Sequence, residues 1–320
     1  MTIAAVGGQN TGATGSGTSV SVAFPSNVAV GSLISVVGWR YEPSADAYIA
    51  GDCTKSAGTA TIGTVTLDAQ LDQVDGGGGR ATVGIWSAIV TGAGSLTMQV
   101  AGGSAGGFPC IAINEFSGNW DSTRVESTNT NGTSATNTTP AHSNNATSAG
   151  AALFIGGLSL GNSGGSMTIT PDAAFTQTYE NEAGGTSQAG SSIYRIVTGG
   201  TTDRAEWTVP TSGNNGWGCA VVAYKEGGPT ITSQPGNSTV YEGQTANFSI
   251  TATGTGTLHY QWKDDASNVG TDSSTYAPTP VLSDSGSIIT CVVTDDIGST
   301  TSNNALLTVL AVGKTAWIRA

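Results

Sequence analysis

The sequence predicts an all-β chain, with one β-sandwich following another and no helix of normal length. Three observations carry this reading. Glycine accounts for 47 of 320 residues and charged residues for only 10%, against about 25% charged in an ordinary soluble domain. Short apolar stretches alternate with period two and are separated by turn residues, as half-buried strands require. The Leu, Ile, Val and Phe content of about 19% sits at the edge of the disorder range. However, a net charge of −12 over 320 residues is too dilute to hold a chain open by repulsion.

The same composition excludes several function classes. Ten Lys and Arg against twenty-two Asp and Glu leave no basic stripe to displace phosphate counterions, so no nucleic-acid partner is expected. No apolar run approaches the roughly 18 residues of a membrane span, so no membrane insertion is expected. The scarcity of ionisable side chains weighs against a hydrolytic active site. The opening residues, Met1 to Gly8, lack the basic region and long apolar core of a signal peptide. A protein made in a host cytoplasm and displayed outside it after lysis fits this combination.

The elements follow in order. Ser19 to Phe24 alternates as a half-buried strand, and Ser32 to Trp39 follows after a turn at Pro25 and Asn27. Thr64 to Val74 is a strand closed by the glycine turn Gly76 to Gly79. Arg80 to Val90 and Ser95 to Val100 read as a hairpin around Thr91-Gly92-Ala93-Gly94. Cys110 to Phe116 is a buried strand. The Asn/Thr/Ser-rich stretch from Ser122 to Gly150 is a surface loop or a weak edge strand. Strands resume at Ala152–Ile155, Ser166–Thr170, Ala173–Tyr179, Ser191–Val197, Arg204–Val209 and Trp217–Tyr224. Residues 1–226 are therefore expected to form a two-sheet, jelly-roll-like sandwich used for assembly, with Trp86 in its core. Lys225-Glu226-Gly227-Gly228-Pro229 marks a boundary, 229–310 form a second domain, and 311–320 are a tail.

In the second domain, Val240 to Ile250 is followed by Leu258-His259-Tyr260-Gln261-Trp262, Asp284-Ser285-Gly286, Cys291 to Thr294 and Ala305 to Val309. This succession resembles an immunoglobulin-like domain of the kind common in phage and bacterial surface proteins. The resemblance implies an immunoglobulin-like sandwich with Trp262 as its core tryptophan. Parity alone places Phe248 and Ile250, then Leu258, Tyr260 and Trp262, then Ile289, Cys291 and Val293 on inward faces. Phe248 stands where the family's first cysteine would be, so Cys291 lacks that partner. Ile289 occupies the tyrosine-corner position.

Two segments of the first domain, Ile85 to Val100 and Phe116-Ser117-Gly118, together with Val28 to Ile34, resemble a β-sandwich module of phage and bacterial surface proteins. That resemblance implies a location rather than a chemistry.

No constellation calls for catalysis, a cofactor or a metal. His142 falls in the Asn/Thr-rich stretch and His259 on an outward parity. Asp72, Asp75, Asp295 and Asp296 lack the spacing of a calcium loop. Gly12 to Gly17 does not link a strand to a helix, so it reads as a flexible turn rather than a phosphate loop. Glu115, Glu180, Glu182 and Glu206 are the acids a glycan-processing enzyme would use, and no spacing pairs them. Cys53, Cys110, Cys219 and Cys291 form no metal or redox motif. Cys110 and Cys219 lie in apolar runs and read as buried thiols, although the even count leaves pairing open. Tyr41, Tyr48, Trp120, Tyr179 and Trp217 lie near turns, where they either stack on sugar rings or pack and cap the sandwich. Trp317 and Ile318 in the tail read as a docking element or as an extension of the last strand.

The expectation is a non-enzymatic virion protein on the exterior of a bacteriophage particle, oligomeric and held by other capsid or tail proteins. Capsid decoration is favoured, because the chain lacks the repeats and coiled coil of a long fibre. The immunoglobulin-like domain would bind host-surface glycans weakly and gain by multivalent display. The rivals are a tail-associated fibre or receptor-binding protein and a bacterial carbohydrate-binding surface protein.

Overall fold

A computed structural model describes residues 3–7, 11–14, 18–42, 52–74, 80–101, 109–120, 124–133, 141–162, 168–181, 188–209, 214–254, 256–296 and 298–312, with no side-chain description at 41, 42, 162, 181, 188, 214 and 215. It is all-β and divides into two compact units, Thr2–Glu226 and Gly227–Ala320. The tail residues Trp317 and Ile318 lie outside the described residues, as do Tyr48, Asp75, Glu182 and the glycines at 76–79.

The first half of the N-terminal unit contains β1 (Ala4–Ala5), β2 (Thr11–Thr14), β3 (Ser19–Ala23), β4 (Leu33–Glu42) and β5 (Cys53–Ala57). It continues with β6 (Thr61–Ile62), β7 (Thr66–Val74), β8 (Arg80–Gly92), β9 (Thr97–Ala101) and β10 (Cys110–Ser117). The second half contains β11 (Val125–Thr133), β12 (Ala141–His142), β13 (Ala146–Ser148), β14 (Ala152–Asn162) and β15 (Thr170–Pro171). It ends with β16 (Thr176–Asn181), β17 (Gln188–Val197), β18 (Thr201–Asp203), β19 (Glu206–Thr208) and β20 (Asn214–Lys225).

The two halves are built alike. In the first, β2-β10-β4-β8-β7 form a large sheet and β3-β9-β5 a small one. In the second, β11-β20-β14-β17-β16 form a large sheet, while β12-β19-β15 and β13-β18 form the small layer. The strand order is the same in both, so the sandwich is present twice. The large sheets pack face to face around Leu33, Val37, Trp39, Ile85, Phe116, Leu153, Ile155, Val222 and Tyr224. Trp86, Ile34, Val36 and Ile113 face the first small sheet through Met98 and Val100. Phe154, Leu158 and Val221 face the second small layer through Trp207 and Ala205. The result is four layers with three cores. Both faces of each large sheet are buried, which is why β4, β8, β14 and β20 read as near-continuous apolar runs.

Two local expectations are corrected and one pair of alternatives is resolved. The hairpin of Arg80–Val90 with Ser95–Val100 does not form: β9 pairs with β3 and β5, and the 91–94 turn carries the chain from the large sheet to the small one. Gly94 makes that crossing at φ +155 while bridging to Val28. The stretch Ser122–Gly150 contains a nine-residue edge strand, β11, with β12 and β13 behind it. Gly12 to Thr14, expected as part of a flexible turn over Gly12 to Gly17, instead belong to β2, which pairs along β10.

The C-terminal unit contains β21 (Thr230–Ser233), β22 (Ser238–Tyr241), β23 (Phe248–Ser249), β24 (Thr251–Thr253) and β25 (His259–Asp264). It continues with β26 (Ser267–Val269), β27 (Thr275–Tyr276), β28 (Ile288–Thr294), β29 (Ser299–Thr301) and β30 (Ala305–Leu310). One sheet runs β22-β30-β28-β25-β26, with β22 parallel to β30. The opposing strands pair as β21-β24 and β23-β27. This is an immunoglobulin-like sandwich. Trp262, Phe248, Ile289, Cys291 and Val293 are all buried in its core. The Trp262 indole donates to the Ser273 carbonyl at 2.8 Å and stacks on Tyr276 at 5.9 Å. Phe248 lies 6.4 Å from the Trp262 ring in the same core as Cys291.

Candidate functional site

The N-terminal unit has an open groove of about 410 Å³ lined by Leu67, Asp68, Ala69 and Gln70 of β7 and by Thr128, Asn129 and Thr130 of β11. Both are edge strands, one from each large sheet, brought together where the sheets stack. A bulge shapes the β7 wall: Leu67 pairs with Trp86 and Ala69 with Ile85, leaving Asp68 as the extra residue.

The bulge turns the Asp68 carboxylate inward. Its Oδ1 accepts from the Thr66 hydroxyl at 2.9 Å, and its Oδ2 from the Tyr224 hydroxyl at 2.7 Å and from Ser87 Oγ. Arg124, itself buried, donates from Nε to Ser87 Oγ at 3.0 Å and from Nη2 to Thr66 Oγ1 at 2.8 Å. One polar cluster therefore ties the two large sheets together behind the groove. Burial, reinforced by the Asp68 carboxylate, pushes the Tyr224 phenol well above its ordinary range, with Ser87 and Arg124 opposing. Tyr224 thus donates to Asp68 at neutral pH. On the β11 wall, the Asn129 amide donates to the Asn145 carbonyl at 3.0 Å and the Thr130 carbonyl accepts from Asn144 at 2.7 Å. Gln70 and Thr128 are exposed at the rim. Composition gave no pointer to this groove, since its residues are unremarkable singly.

Most of the described residues singled out from sequence lie apart, although His142 stands opposite Glu206 in the β12–β19 pair and beside Trp217. Glu115 is buried on β10 and accepts from the Ala29 amide at 2.8 Å. Glu180 accepts from Gln177 and Glu206 pairs with Arg204, each on a different strand. Asp72 pairs with Arg80 and accepts from Thr82. Asp295 closes its own turn by accepting from the Gly298 amide at 2.9 Å. His142 lies 5.8 Å from the Trp217 ring, and exposed His259 pairs with Asp272 at 2.6 Å, which lowers the Asp272 pKa. Among the described residues, no group of three or more His, Cys, Asp or Glu could hold a metal. All four cysteines are buried, and burial pushes the Cys291 thiol up to about 11. Of the aromatics, Trp120 and Trp217 are buried, and Tyr179 packs on Gly12 and near Trp39.

No protein-family model matches the chain, and no curated protein sequence matches it. Solved structures similar to it include the first domain of Duf (Kirre), at 17% identity over 27% of this chain and 100% of that one, with a TM-score of 0.24. The titin M3 domain is similar at 21% identity over 26% of this chain and 96% of that one, with a TM-score of 0.22. The tandem immunoglobulin repeats of Dlar are similar at 15% identity over 48% of this chain and 95% of that one, with a TM-score of 0.25. The immunoglobulin-like assignment stands on the strand order and core given above.

Proposed function

We propose that this chain is a non-enzymatic structural protein on the exterior of a bacteriophage particle, decorating the capsid through its four-layer unit. Its immunoglobulin-like unit would give weak, multivalent adhesion to host-surface glycans. One observation carries the reading. Several of the ionisable side chains described serve local structure: Asp68 bonds across the two large sheets, Asp72 pairs with Arg80 of the neighbouring strand, and Asp295 closes a turn. What remains for function is surface rather than a reaction centre. The resemblance of both units to modules of phage and bacterial surface proteins supports the location, and the lack of a coiled coil favours decoration over a long fibre.

In this reading the chain assembles as a homo-oligomer on neighbouring virion proteins, with Trp317 and Ile318 of the tail docking on one of them. The test is incorporation into particles and binding to host cells by the full chain, by a chain lacking 311–320 and by one lacking 227–320. The tail deletion is expected to lower incorporation, and the larger deletion to abolish cell binding while leaving the four-layer unit folded. Unchanged incorporation and unchanged cell binding would overturn the proposal.

A further inference from the structure

One end of the immunoglobulin-like unit carries an apolar surface that nothing described covers. Of the eight large apolar side chains exposed among the described residues, six belong to this unit. Five of them, Tyr241, Val281, Leu282, Leu310 and Val312, lie around the end of β30 and are 41–59% exposed. Tyr241 pairs in register with Leu310, and the Glu242 amide donates to the Leu310 carbonyl at 2.9 Å. The Glu242 carboxylate accepts from the Leu282 amide at 3.3 Å, and Asp284 Oδ2 accepts from the Val281 amide at 2.8 Å. The apolar side chains therefore share one tip of the sandwich, with two carboxylates on its rim. The chain enters the unit at the other end, where Gly228 lies beside Gly298 in the turn that follows β28. An exposed apolar patch with a polar rim marks an interaction surface.

Charge and reach say what fits this tip. Residues 229–312 carry seven Asp and Glu and a single Lys, whereas 313–320 carry Lys314 and Arg319 and no acid. Two sandwich bodies of like charge repel one another, so the body of a second copy suits the tip poorly and a basic segment suits it well. That segment sets Trp317 and Ile318 between its two cations, matching an apolar centre with an acidic rim. Tryptophan is also a common anchor of interfaces. Trp317 follows Val312 by five residues, a span of up to about 17 Å.

We infer that this tip is the seat for residues 313–320 of a second copy of the chain, two tips exchanging these segments about a two-fold axis. Each tip is the root of one segment and the seat of the other, so both seat at once and the contact closes as a pair. The inference rests on the homo-oligomer proposed above and names a second copy as the protein on which the tail docks. A reach of about 17 Å makes the two tips meet end to end, which leaves the faces of the sandwich for the adhesive role.

The test is fluorescence anisotropy of a labelled peptide of residues 313–320 on the chain lacking those residues, read beside sedimentation of the full chain. The peptide is expected to bind, and more weakly at high salt. Trp317→Ala in the peptide, and Tyr241→Ser or Leu282→Ser in the protein, should each weaken binding at least tenfold. Both protein positions are exposed, so their variants should melt as the parent does. The full chain is expected to sediment at twice the mass of the chain lacking 313–320. No peptide binding, or binding unchanged in Tyr241→Ser and Leu282→Ser, would overturn the seat. Peptide binding with full and shortened chains in the same oligomeric state would mean that the tail folds onto its own unit, which overturns the exchange between copies. Either failure is distinct from a failure of the proposed function, because incorporation of the shortened chain into particles still reports whether the tail docks on a different virion protein.

Discussion

Tyr224→Phe removes one oxygen from the interface between the two large sheets, and its effect can be worked from the geometry. The Tyr224 hydroxyl donates to Asp68 at 2.7 Å inside a buried cluster. A hydrogen bond to a charged partner contributes about 1.5–3 kcal/mol. Asp68 keeps its bonds from Thr66 and Ser87 and borders the open groove, so the cost belongs at the lower end, about 1.5–2 kcal/mol. For a unit of this size each kcal/mol moves the midpoint by about 2–4 °C, giving a drop of about 3–8 °C. Differential scanning calorimetry reads it directly, and a cycle with Asp68→Asn should show coupling of about 1 kcal/mol. A drop below about 1 °C, or additive single and double variants, would refute the claim that this cluster joins the sheets.

Three further outcomes follow from the same structure. Because the Tyr224 pKa is raised in the folded state, the native protein holds its proton more tightly than the unfolded chain. Its contribution is fully present below the ordinary tyrosine pKa and is lost as pH rises above about 10. Urea titrations should show a smaller alkaline loss in Tyr224→Phe than in the parent, and equal losses would contradict the shift. Trp262→Ala should destabilise the immunoglobulin-like unit by about 3–5 kcal/mol through the cavity it leaves, and an unmoved melt would sink the core assignment. Gly12→Ala should cost about 1–3 kcal/mol, because the new methyl collides with the Tyr179 ring. A neutral result in a thermal melt would mean that Tyr179 does not rest on β2.

The immunoglobulin-like unit was legible in the sequence because its strands each bury one face, so parity assigned Phe248, Trp262, Ile289, Cys291 and Val293 inward without any structure. The N-terminal unit was legible as strands but not as an arrangement. β8 and β20 are buried on both sides, so their side chains do not announce which face meets which sheet. The hairpin expected across Gly92 to Gly94 failed for a related reason, since a glycine turn permits a crossing to another sheet as readily as a reversal within one. The doubling of the sandwich lies in strand order and bulge position, which involve contacts far apart in the chain. The groove was harder still. It lies between edge strands of two different sheets, a juxtaposition that has no meaning until the sheet order is known. Of the candidate acids, Glu115, Glu180 and Glu206 stand on separate strands with separate partners.

The central claim is that this chain is a structural component of a particle's outer surface. Immunogold labelling of purified particles with antibody to the immunoglobulin-like unit, read beside the copy number from quantitative mass spectrometry, tests it most directly. The account predicts accessible labelling distributed over the capsid at a copy number commensurate with its lattice. Absence of the chain from purified particles, or labelling only after they are broken open, would contradict it.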